Sequence, residues 1–147
     1  MVSKPHFGAL TYIFKMFSKF LAMTSVKMIQ IQHESDTWKR LLAFMMSENV
    51  FLKERLAKVL KYDFDKSLLE MLEFFHTSFV EEDERIEQLR KSVSVLDQLI
   101  QREFVEDGKI IPALEKQVRI TRKSIFTEES KFSQIKSSFH DYLLKNI

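Results

Sequence analysis

From Trp38 onward the apolar residues of this chain advance in alternating steps of four and three. Trp38, Leu42, Met45, Leu52, Leu56 and Val59 share one helical face, and a single polar residue, Asn49, holds a place in the same series. That spacing lines up one seam of a coiled coil, in which a lone asparagine fixes register at some cost in stability. Ser35 or Asp36 stands where an N-cap would, so the pattern predicts a helix over 36–62. Asp63-Phe64-Asp65 then offers a turn and a fresh cap.

The same steps recur at Leu68, Leu72, Phe75, Phe79, Glu82, Ile86, Leu89, Val93, Leu96 and Ile100, with Phe104 one helical turn further on. No glycine or proline interrupts them before Gly108, which predicts a helix over 66–106, about 60 Å long. A third series follows at Ile111, Leu114, Val118, Thr121, Ile125, Glu128, Phe132, Ile135, Phe139 and Tyr142. Pro112 opens it in the first helical turn, where a missing N–H is harmless, and a helix over 111–145 is expected.

A short link at Asp107-Gly108-Lys109 makes the second and third helices antiparallel neighbours, and the turn at Phe64 folds the first back on the second. Pairing about these turns brings Asn49 near Phe79, and Glu82 within a layer or two of Glu128 and Phe132. Asn49, Glu82 and Glu128 then fall at one level. The expected fold is all-α, a long antiparallel coiled-coil hairpin within a three- or four-helix bundle. Residues 35–147 form the bundle domain, and residues 1–34 form a separate segment.

That segment has its own pattern. Leu10, Ile13, Phe14, Phe17, Phe20 and Leu21 lie on one helical face, opposite Thr11, Lys15, Ser18 and Lys19, so residues 9–22 read as an amphipathic helix. Between Val26 and Gln32 the helical period fades and an irregular stretch is expected. Lys15, Lys19 and Lys27 argue against a membrane-spanning helix and against a signal peptide. Three readings stay open: a fourth bundle helix, a membrane-surface anchor, or translated sequence upstream of a start at Met23 or Met28.

Composition supports long helices, with only 2 glycines and 2 prolines in 147 residues to punctuate turns. Cysteine is absent, which removes disulfides, thiolate metal sites and cysteine catalysis, and suits a cytoplasmic location. Residues 63–108 carry 13 acidic and 5 basic side chains, whereas their neighbours on both sides are basic. An acidic helix lying between basic ones accounts for this within one chain. The basic cluster Lys116, Arg119, Arg122 and Lys123 lacks interleaved aromatics and glycines, so no nucleic acid is expected as a partner.

Candidate chemistry is sparse. Glu73 and His76 share a helical face in a Glu-x-x-His string, with Glu70 one turn away and His140 brought to the same level by the Gly108 turn. These four residues define an alternative reading, a carboxylate/histidine metal protein of oxidase or storage type. A di-iron site needs a second Glu-x-x-His and two more glutamates, and the nearest string is Gln30-x-x-His33. The acidic run Glu81–Glu84 points all round its helix and reads as a solvated face plus one polar core position. No catalytic residue, cofactor or metal is expected, and the chain reads as a non-enzymatic interaction or scaffold module working through helix–helix contacts.

A helix over 36–62 would be about 39 Å long and would reach only to about Leu89 of the second helix. Val93, Leu96, Ile100 and Phe104, with Leu114 and Val118 opposite, would then lack a third cover, and Leu99 and Ile110 add to the patch. Exposed apolar patches of this kind mark partner surfaces. Either the protein self-associates as a homodimer through the distal hairpins, or its first, N-terminal helix packs along them; the protein partner is otherwise unknown. Contact with a membrane surface through residues 9–22 is the remaining alternative.

Overall fold

Three long helices run through most of the chain: α1 (Phe7–Tyr62), α2 (Leu69–Arg102) and α3 (Pro112–Asn146). The structure, a computed structural model, describes residues 7–62, 65–102, 105, 106, 109, 110 and 112–146. Asn49 meets Asp83 while Ser35 meets Asp97, so α1 and α2 are antiparallel. Glu34 meets Arg122 while Glu48 meets Lys136, so α1 and α3 run parallel. The architecture is an all-α bundle.

The heptad series form its core. Leu42, Met45 and Leu56 of α1 are buried against Leu72, Phe79, Ile86, Val93 and Leu96 of α2 and Leu114, Val118, Ile125 and Phe139 of α3. Near the α1–α2 turn the filling is aromatic. Phe139 stands 5.1 Å from both Phe75 and Phe79, and Tyr142 lies 5.5 Å from Phe75. Tilted and edge-on pairs of this kind add about 0.5–1.5 kcal/mol each beyond the area they bury.

α1 departs from expectation. It is one helix of 56 residues, with no irregular stretch at 26–32 and no cap at Ser35 or Asp36. Its seam extends upstream through Met28, Ile31 and Ser35 to Trp38 in the same three-four steps, and all four are buried. Ser35 is 0 % exposed and donates its hydroxyl to Asp97 at 2.9 Å. A small side chain whose one polar group has a partner fits a seam position, although the residue type is equally at home as a cap.

The connections are short. Asp65 accepts the Ser67 N–H at 2.9 Å and caps a 3₁₀ turn, Lys66–Leu68, that leads into α2. At the other end α2 stops at Arg102 instead of continuing to 106. Two-residue strands replace its last turn: β1 (Val105–Glu106) pairs antiparallel with β2 (Lys109–Ile110), Val105 opposite Ile110 and Glu106 opposite Lys109. β-branched residues at both outer positions and Asp-Gly between the strands suit a two-residue hairpin better than a helix end. The expectations for Asp63, Phe64, Phe104, Asp107, Gly108 and Ile111 lie outside the described residues.

Candidate functional site

α1 and α3 are joined by a regular ladder. Lys27 pairs with Glu115 at 2.6 Å, Glu34 with Arg122 at 2.6 Å and Glu48 with Lys136 at 2.5 Å. Every pair spans 88 residues, and along α1 the rungs are separated by whole heptads. Each exposed rung contributes only about 0.2–1 kcal/mol, so the ladder's main effect is to fix which residues of α1 and α3 stand level. Nothing in the sequence distinguishes these charges from their unpaired neighbours until the offset between the helices is known.

At mid-height the seam turns polar. Asn49 is fully buried and donates its amide to the Phe79 carbonyl at 2.8 Å and to Asp83 at 2.6 Å. Lys53 holds the other oxygen of Asp83. Arg85 donates to Glu82 at 2.6 Å and to Glu128 at 3.0 Å, bridging two carboxylates that are 2 % and 4 % exposed. Asn49, Glu82 and Glu128 thus lie in one layer, as the pairing about the two turns predicted. Asp83, Lys53 and Arg85 were missed, because they flank the seam and acquire meaning only from the neighbouring helix.

The layer is electrically strained. Burial pushes the Glu128 carboxyl up to about 7, the hydrogen bond and the charge of Glu82 add to that, and Arg85 pulls against it. Burial works to lower the Arg85 guanidinium, but the hydrogen bond to Glu82 and the charges of Glu128 and Glu82 outweigh it and raise it above its ordinary value. Glu82 Oε2 and Asn49 Oδ1 have no partner. A proton on Glu128 can be donated to Glu82, so a raised carboxyl and an orphaned acceptor are two sides of one arrangement. A second polar group joins α1 to α2 nearer the hairpin. Burial works to raise the Asp97 carboxyl there, yet Lys39, Ser35 and Gln32 hold it below the ordinary carboxylate range. The mid-height layer offers neither a nucleophile beside a base nor a cradle of backbone N–H groups. Its chemistry is that of register and protonation.

The metal alternative receives no cluster. Glu70, Glu73, His76 and His140 are all exposed, and no three such side chains among the described residues are grouped to hold an ion. The upstream length of α1 packs along the distal hairpin, the second of the two outcomes expected there. Val93, Leu96, Ile100, Leu114 and Val118 lie in the core because the extended helix supplies the third cover, and only Leu99 is 39 % exposed. The side chain of Ile110, like Phe104, lies outside the described residues. The apolar patch that suggested a dimer through the distal hairpin is therefore filled from within the chain.

The uncovered apolar surface lies elsewhere. Twelve consecutive residues of α1, 8–19, are exposed on every side, so this stretch runs clear of α2 and α3. Leu10, Ile13, Phe14 and Phe17 on its apolar face are open to solvent, Phe14 at 70 %. Lys15 and Lys19 stand opposite, and the exposed Tyr12 and Met16 lie round the helix beside them, away from that row. No helix among the described residues is long and apolar enough to cross a membrane. No protein-family model, curated protein or solved structure matches this chain.

Proposed function

We infer that the chain is a non-enzymatic helical docking module: a bundle that holds an apolar-faced helical arm clear of its own body for another helix or surface to cover. The observation that carries this reading is the arm itself, twelve exposed residues with Leu10, Ile13, Phe14 and Phe17 aligned on one face. Single exposed apolar residues are normal on any surface, but an aligned row without a cover marks a contact site. The body suits a rigid support, since the ion-pair ladder and the polar layer both fix how its helices stand against one another.

Photo-crosslinking at native expression level tests this. A photoreactive residue in place of Phe14 is expected to give discrete adducts, whereas the same residue in place of Phe126, exposed on α3, gives none above background. Equal background at both positions would end the docking reading.

A further inference from the structure

The apolar face of the arm is in phase with the buried seam of the bundle. Leu10, Ile13 and Phe17 stand eighteen residues before Met28, Ile31 and Ser35, and eighteen residues make about five whole turns. Met28, Ile31 and Ser35 face α2 and α3, so the arm turns its apolar row to the same side. A bilayer that took up this row would meet the ends of α2 and α3, which already occupy that side of α1. A helix laid end-on against the bundle meets no such obstruction.

The row is also self-complementary. Leu10, Phe14, Phe17 and Leu21 follow steps of four, three and four, and read the same in both directions. Two antiparallel copies of the arm set leucine against leucine and phenylalanine against phenylalanine, about a two-fold axis midway between Phe14 and Phe17. In that register position 7 of one copy is level with position 24 of the other. The bundle closes on α1 just beyond, where Lys27 pairs with Glu115 and β2 touches α1. The exposed stretch 8–19 thus lies wholly within the paired length, short of the point where the bundle takes up α1. Lys15 and Lys19 point away from the row, so no like charges meet across the axis.

We propose that the arm's occupant is a second copy of this chain, the two arms pairing antiparallel and seam to seam to give an end-to-end dimer. The proposal rests on the docking reading and names its partner. Such a contact is isologous, the same patch serving both subunits.

The full chain has no cysteine, so disulfide trapping starts from a clean background. The double variant Leu10→Cys/Leu21→Cys is expected to crosslink on mild oxidation. Leu10→Cys alone is not, since its two copies stand about 16 Å apart along the axis. Sedimentation of the unmodified chain is expected to show a concentration-dependent dimer, weakened at least a hundredfold by Phe14→Ser/Phe17→Ser, with the bundle's melting unchanged. A monomer at every concentration, a dimer indifferent to the serine pair, or equal crosslinking by Leu10→Cys alone overturns the proposal. Flotation with phosphatidylcholine/phosphatidylserine vesicles separates the two levels of inference. A monomer whose arm binds vesicles, or whose Phe14 position crosslinks another protein, refutes the second copy and leaves the docking reading standing. A serine pair that alters neither association, vesicle binding nor crosslinking removes both.

Discussion

Glu82 and Glu128 set two carboxylates in a largely apolar seam with the Arg85 guanidinium at its flank, and protonation there reaches the stability of the whole bundle. The Glu128 carboxyl is near 7 when folded and near 4.5 in an open chain. The folded state therefore holds this proton more tightly, and its contribution is full below about pH 4.5 and is lost as pH rises through 7. Allowing for solvent reaching the half-buried Arg85, the loss is on the order of 1–2 kcal/mol. Urea melts between pH 5 and 8 should show it, and Glu128→Gln should flatten the profile and make the protein more stable at pH 8. An unchanged slope in that variant would mean that Glu128 is not the titrating group. The positions of Asn49, Glu82 and Glu128 were legible in the sequence, because heptad steps and two short turns fix their level. Their partners Asp83, Lys53 and Arg85 were not, because a flanking side chain is paired or free according to the azimuth of the next helix, which periodicity leaves undetermined.

At the scale of elements, α1 shows how a local signal can mislead. Serine caps helices well, and Ser35 stands where a new helix could begin, but it also fits a seam beside Asp97. The three-four series continued upstream through Ile31 and Met28, and that longer-range pattern was the better guide. The end of α2 departs in the opposite sense: the apolar series runs on to Phe104 with no glycine or proline before Gly108, yet Val105 belongs to a short strand. Core truncations separate these possibilities. Ile31→Ala, Ile125→Ala and Phe132→Ala should each cost about 2–4 kcal/mol, whereas exposed Lys123→Ala should cost close to nothing. Ile31 is the discriminating position, because a bundle that began at residue 36 would not register its loss in a denaturant melt. Small, equal effects at Ile125, Phe132 and Lys123 would remove the seam assigned to α3.

For the whole molecule, the unequal lengths of the helices decide the outcome. At 56 residues α1 is about 84 Å long, against about 51 Å for the 34 residues of α2. The excess first covers the distal hairpin, which is why no apolar patch remains at Val93, Leu96 or Val118, and then runs on as the arm. The arm continues a helix already nucleated in the bundle, but nothing in the chain packs on its exposed stretch, so it should fray more readily than the rest of α1. Limited trypsin digestion reads that out. At protein concentrations too low for association, cleavage after Lys15 and Lys19 should precede any cut in α1 beyond Met28, leaving a bundle with its original melting temperature. Raising the concentration of the intact chain should slow these two cuts selectively, because pairing of the arms stabilises the helix around them. Phe14→Ser/Phe17→Ser should abolish that protection without altering cleavage elsewhere. Mass spectrometry of the early fragments decides the matter: cuts in the bundle that match the arm in rate would show that α1 lacks the division into supported and unsupported lengths on which the docking reading depends.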